Sequence, residues 1–131
     1  MKGLDTNVLV RYIMQDDAKQ SPKANRAVEA LTPEEPGFIP VVALIELVWV
    51  LESAYKLSRA QLAQVLDTLL RTKVIVLDRA DQVLQAQRAF SAGSADFADC
   101  LIQSIASAAG CQSTLTFDVG AAKTAGMTLI K

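Results

Sequence analysis

The chain has 131 residues, 51% of them hydrophobic and 21% charged, with a net charge of −1 and a pI near 5.3. This suits one folded domain spanning 1–131 and excludes a disordered tail. There is no global electrostatic pull towards nucleic acid, although a metal cluster and a local basic strip can serve instead. Histidine is absent, which removes Ser-His-Asp and Cys-His nucleophile systems and any imidazole metal ligand. Any chemistry falls to carboxylates or lysines.

At the N-terminus, "MKGLDTNVLV" has one lysine, and Asp5 interrupts its apolar run, so no signal peptide is expected. "KGL" reads as a short strand, and "DTNVLVRYIM" as a helix capped by Asp5 or Thr6. "SPKANRAVEAL" predicts a second helix, with Ser21 as N-cap and Pro22 at its first position. "TPEEPG" is a loop and "FIP" the end of a strand, with Pro40 opening the next helix.

That helix holds "VVALIELVWVL", residues 41 to 51, which is apolar all round except for Glu46. Such a segment suits burial on every side, with Trp49 in the core. It is about half the length of a membrane span. A carboxylate there is expensive to bury. Either an arginine such as Arg11 or a cation has to hold it.

"SRAQLAQVLDTLL" has a capping box, Ser58 with Gln61, and carries Leu62, Val65, Leu66, Leu69 and Leu70 on one helical face. "KVIVL" is a β-branched run of the kind covered on both sides. "RADQVLQAQRAFSAG" is a helix ending near Gly93. "ADFADCLIQSIASAAG" is the next, with Leu101, Ile102, Ile105 and Ala109 expected inward and Gly110 as stop. "STLTF" and "MTLI" are strands around the short helix "DVGAAKTAG". Cys100 and Cys111 make neither a disulfide framework nor a zinc site, and read as buried or partly buried thiols in a reducing cytoplasm.

Short strands alternating with longer helices predict a three-layer α/β/α domain, its short, mostly parallel sheet flanked by helices. In such sheets ligands bind beyond the carboxyl ends of the strands. Asp5 and Asp118 follow strands there. Asp96 and Asp99 share a helical face, and Glu46 lies two turns into a helix starting at the same edge. All five acids are expected to converge on one pocket. Crowded carboxylates repel unless a cation sits between them, and hard oxygen ligands alone select Mg²⁺ or Mn²⁺. Singly, each acid has a plainer role: Asp5 and Asp118 as N-caps, Asp96 on the helix dipole, Glu46 in an ion pair.

Together, "LDTNVLVRYI", "ALIELVWVLES", "ADFADCLI" and "TLTFD" resemble PIN-domain ribonucleases, specifically VapC-type toxins of bacterial toxin–antitoxin pairs. The resemblance implies metal-binding, catalytic acids at Asp5, Glu46, Asp99 and Asp118, with Asp96 accessory. It implies hydroxyls near the acids at Thr6 and Thr116, orienting ligands or the attacking water. Asn7 matches as well and has a plainer reading as a helix-start residue. A cytoplasmic, Mg²⁺- or Mn²⁺-dependent endoribonuclease is expected, homodimeric, with an RNA substrate, a small antitoxin and no membrane. Trp49 has a second role open to it, lining an antitoxin groove or stacking on a base. The family's basic residues vary; Arg11, Lys19, Lys23, Arg26 and Lys123 are the candidates for phosphate contact, Lys123 nearest the pocket.

Three rivals remain. A phosphotransfer receiver needs a phosphate-accepting aspartate, for which Asp78 after "VIVLD" is the candidate. An aspartate-nucleophile phosphatase wants a second acid where Asn7 stands. A catalytically silent PIN-like binding module is opposed by four intact acids.

Overall fold

The computed structural model describes all 131 residues. Their contacts cluster into two compact units, one of residues 1–58 and 68–78, the other of residues 59–67 and 79–131.

In the first unit, three strands pair in parallel in the order β1 (Lys2–Gly3), β2 (Gly37–Ile39), β3 (Ile75–Leu77). Lys2 stands opposite Gly37 and Ile39 opposite Leu77. Gly37 is buried in the central strand, where an added Cβ would lie 2.8 Å from side-chain carbons of Leu4 and Leu31. Only glycine fits that approach without displacing its neighbours. Helices α1 (Thr6–Met14), α2 (Gln20–Glu29) and α3 (Val41–Ser53) complete the unit, α1 packing on both others. Its buried core includes Leu9, Ile39, Leu44, Leu47 and Leu51.

Parallel pairing sets the carboxyl ends of β1 and β2 side by side. Helix α1 therefore begins beside the start of α3, and this neighbourhood positions two of the acids. The α3 N-terminus has no cap of its own, since Pro40 carries no side-chain acceptor. Asp78, just past β3, supplies it by accepting from the Val41 amide at 3.1 Å.

The second unit contains α5 (Ala80–Ala92), α6 (Phe97–Ala108), β4 (Leu115–Thr116), α7 (Val119–Thr124) and β5 (Thr128–Leu129). Strands β4 and β5 pair in parallel. Helix α4 (Arg59–Arg71) contributes its first nine residues to this unit and its last four to the other. Helices α5 and α6 pack together. Phe90 meets Phe97 edge-to-face at 5.8 Å. Arg59 lies 4.0 Å over the Phe90 ring and donates to the Phe90 and Gly93 carbonyls, closing the C-terminus of α5.

Several expectations change. The strands pair as a set of three and a set of two. Val76 is exposed, so β3 is not covered on both faces. Helix α2 begins at Gln20, three residues after Asp17, whose carboxylate accepts from the Lys19 and Gln20 amides. Ser21 is no cap; its buried hydroxyl donates to the Arg11 carbonyl at 2.9 Å and ties α2 to α1. Helix α3 is not buried all round, since Val42 and Trp49 are each 68% exposed. Trp49 is therefore not core.

On α6 the inward residues are Phe97, Cys100, Leu101 and Ser104, while Ile102 and Ala109 face outward. A serine can occupy an inward position because its hydroxyl donates to the Gln82 carbonyl at 2.9 Å. Gly110, with φ +95°, ends the helix as expected. Both cysteines are free, Cys100 buried and Cys111 exposed; Cys111 thus departs from the expected burial.

Candidate metal centre

In the first unit the acids are Asp5 and Glu46, both exposed. Asp5 is the N-cap of α1 and accepts from the Thr6 amide at 2.8 Å. The buried Thr6 hydroxyl donates to Glu46 at 3.0 Å. One residue thus links two carboxylates that are 41 positions apart in the chain. Burial is not what Glu46 endures. It sits on the open side of α3, and the alternative of an Arg11 partner is wrong as well.

Arg11 turns elsewhere. It donates through Nε to Gln20 at 2.8 Å, and through Nη1 to Asp16 and to the Tyr55 hydroxyl at 3.4 Å. Tyr55 in turn donates to Asp16 at 2.8 Å, and that carboxylate beside it raises the phenol's pKa. Asn7, exposed, donates to Gln20 at 3.3 Å. Nothing in the local sequence points to Asp16, Gln20 or Tyr55. Their partners lie from 5 to 44 residues away along the chain, beyond any local pattern.

In the second unit Asp96 caps α6 by accepting from the Ala98 amide at 3.4 Å. Asp118 caps α7 by accepting from the Ala121 amide at 3.2 Å, and its own amide donates to the Thr116 hydroxyl oxygen at 3.0 Å. The cap roles of Asp5, Asp96 and Asp118 are real, but each uses one carboxylate oxygen and leaves the other available. Asp99, in the first turn of α6, accepts no hydrogen bond and is partly buried. Burial pushes its pKa up, and the negative charges of Asp96 and Asp118 push it further. Lys123, exposed in the last turn of α7, has no partner.

Arg11 forms an ion pair with Asp16. Asp5, Glu46, Asp96, Asp99 and Asp118 form no ion pair with a lysine or arginine. No three acids or thiols form a ready-made ligand cluster. In the second unit the carboxylates of Asp96, Asp99 and Asp118 offer only oxygen donors, and the charges of Asp96 and Asp118 bear on Asp99, a chemistry that suits a hard divalent cation.

A PIN domain profile matches residues 3–127. The chain belongs to the PIN-domain family. With the family comes the expected fold class, three-layer α/β/α of the PIN type. The sequence is also similar to the VapC ribonuclease of Aquifex aeolicus (strain VF5), at 28% identity over 117 residues covering 89% of this chain and 87% of that protein. The receiver and phosphatase rivals fall with this result, and Asp78, the receiver's required phosphate acceptor, is occupied as the cap of α3. No helix is long and apolar enough to cross a membrane.

Proposed function

We propose that this PIN-domain protein is a metal-dependent endoribonuclease toxin that hydrolyses RNA phosphodiester bonds and is held inactive by a small cognate antitoxin. The observation that carries the reading is the set of carboxylates without cationic partners, with Asp99 strained by its acidic neighbours. Membership of the PIN family and similarity to a VapC ribonuclease support it. The match runs through both compact units, which supports a single domain over 1–131.

Asp5, Glu46, Asp99 and Asp118 would hold Mg²⁺ or Mn²⁺, with Asp96 accessory. When bound, the cation supplies charge neutralisation at the phosphodiester and makes water easier to deprotonate. The chain's own residues prepare for this. The Thr6 hydroxyl fixes one oxygen of Glu46, and the Thr6 amide fixes one oxygen of Asp5. Thr116 holds the backbone at Asp118, whose second oxygen stays free of the helix cap. Asp99, crowded by Asp96 and Asp118, is the carboxylate that would gain most from the cation's charge; solvent takes the proton released when water attacks phosphorus and protonates the departing ribose oxygen.

The remaining readings follow from the family. The protein works in the cytoplasm as a homodimer. Exposed apolar side chains at Val42, Trp49, Leu115, Phe117 and Val119 give it surface for association. The deciding experiment is incubation of purified protein with total RNA and Mn²⁺. Endonucleolytic fragments that vanish with EDTA are expected; intact RNA at every Mn²⁺ concentration would sink the assignment.

A further inference from the structure

Helices α1 and α2 flank a groove of about 320 Å³ that runs from Asp5 along Asn7, Arg11, Gln20 and Lys23, floored by Ala24 and Ala27. That is the small end of ligand-binding clefts. The two alanines keep the floor open, and three tethers keep the walls in place. The Ser21 hydroxyl donates to the Arg11 carbonyl at 2.9 Å. The amides of Gln15 and Asn25 donate to each other at 2.6 and 3.0 Å. Such a cleft does not have to be organised when its ligand arrives.

Its walls carry specific unused groups. The Gln20 carbonyl oxygen is taken by Asn7 and Arg11, which leaves the Gln20 amide N–H groups and the Asn7 carbonyl oxygen without hydrogen-bond partners. Arg11 is half-buried and shares its charge with Asp16. Lys23 is exposed and makes no ion pair, so it is the groove's free cation. A cation and a donor–acceptor amide pair beside a metal-ligating carboxylate match a phosphate and an adjacent base edge. Two hydrogen-bonded amides that keep both a donor and an acceptor unused favour a nucleobase over an acidic peptide.

We infer that this groove takes the RNA strand next to the scissile phosphate, with Lys23 and Arg11 on a backbone phosphate and the Asn7–Gln20 amides on a base edge. The inference rests on the nuclease reading above and names its substrate contacts.

The test uses full-length Asp99→Asn protein, which holds RNA uncut, titrated with fluorescent single-stranded RNA in Mg²⁺ over a range of salt. Adding Lys23→Glu should weaken binding about tenfold and lower the slope of log affinity against log salt by about one. Lys73→Glu makes the same charge change outside the groove and should shift binding far less. In the cleaving protein, Lys23→Glu should raise KM much more than it lowers kcat, and Asn7→Ala should change the base preference beside the cut. Equal effects of Lys23→Glu and Lys73→Glu would overturn the groove while leaving the nuclease reading intact. So would a Lys23→Glu protein that binds RNA normally but escapes its antitoxin, for the groove would then belong to the protein partner. A wild type that neither binds nor cuts RNA would remove both.

Discussion

The two groups of acids handle their charge in different ways. Around Asp5 and Glu46, Thr6 donates to both carboxylates, one through its amide and one through its hydroxyl. Around Asp96, Asp99 and Asp118, the outer two spend an oxygen on their own helices, while Asp99 receives no donor and feels both neighbours. The first group is organised by hydrogen bonds already in place. The second carries a charge that only something from outside the chain can balance. If a cation is that agent, the second group should control whether it binds, and the first how well its ligands are aimed.

The largest effect should therefore come from Asp99→Asn. The change preserves shape and removes the most crowded charge. Metal-dependent cleavage of RNA should fall by about a hundredfold or more, the scale seen when a group stabilising transition-state charge is removed. Undiminished cleavage would reverse the ranking of the two groups.

A smaller loss is expected on the other side. Thr6→Val keeps the volume of a buried side chain but deletes the only donor to Glu46. Activity should fall about tenfold, within the range for a residue that orients a metal ligand. Thr6→Ser should restore most of it, since the hydroxyl returns. Equal activity of the valine and serine proteins would show that the bond to Glu46 does not matter for cutting.

Much of this was legible in the sequence, for local reasons. Asp5, Asp96 and Asp118 each stand at a helix start, where capping chemistry announces an acid. The strands preceding Asp5 and Asp118 and the helix stop at Gly110 follow from the same local signals. What failed was the side each residue faces. In "VVALIELVWVL" every position but one is apolar, so helical periodicity has nothing to contrast, and the exposure of Glu46 and Trp49 could not be read from it. On α6 the inward Ser104 broke the hydrophobic pattern, because its partner is a carbonyl on α5. The resemblance places Thr6 near the acids, but its bond to Glu46 spans 40 residues and leaves no local trace.

The finest test of the comparison is the stability of metal-free protein. Two effects compete at Asp99. Its place in the first turn of α6 favours a negative charge through the helix dipole, while burial and two acidic neighbours oppose it. The raised pKa says that the opposition wins. An acid whose folded pKa lies above its unfolded one binds more protons in the native state. Its ionised form therefore destabilises the fold at neutral pH, and that penalty disappears as pH falls through the raised value. In EDTA, Asp99→Asn should melt slightly above wild type at pH 7, with the gap closing on acidification. Glu46→Gln should show no such gain, because Glu46 is exposed and already has a donor. Excess Mn²⁺ should reverse the order by stabilising wild type alone. The opposite result in EDTA, with Asp99→Asn less stable than wild type at neutral pH, would mean that the helix dipole outweighs the crowding and that the second group needs no outside cation.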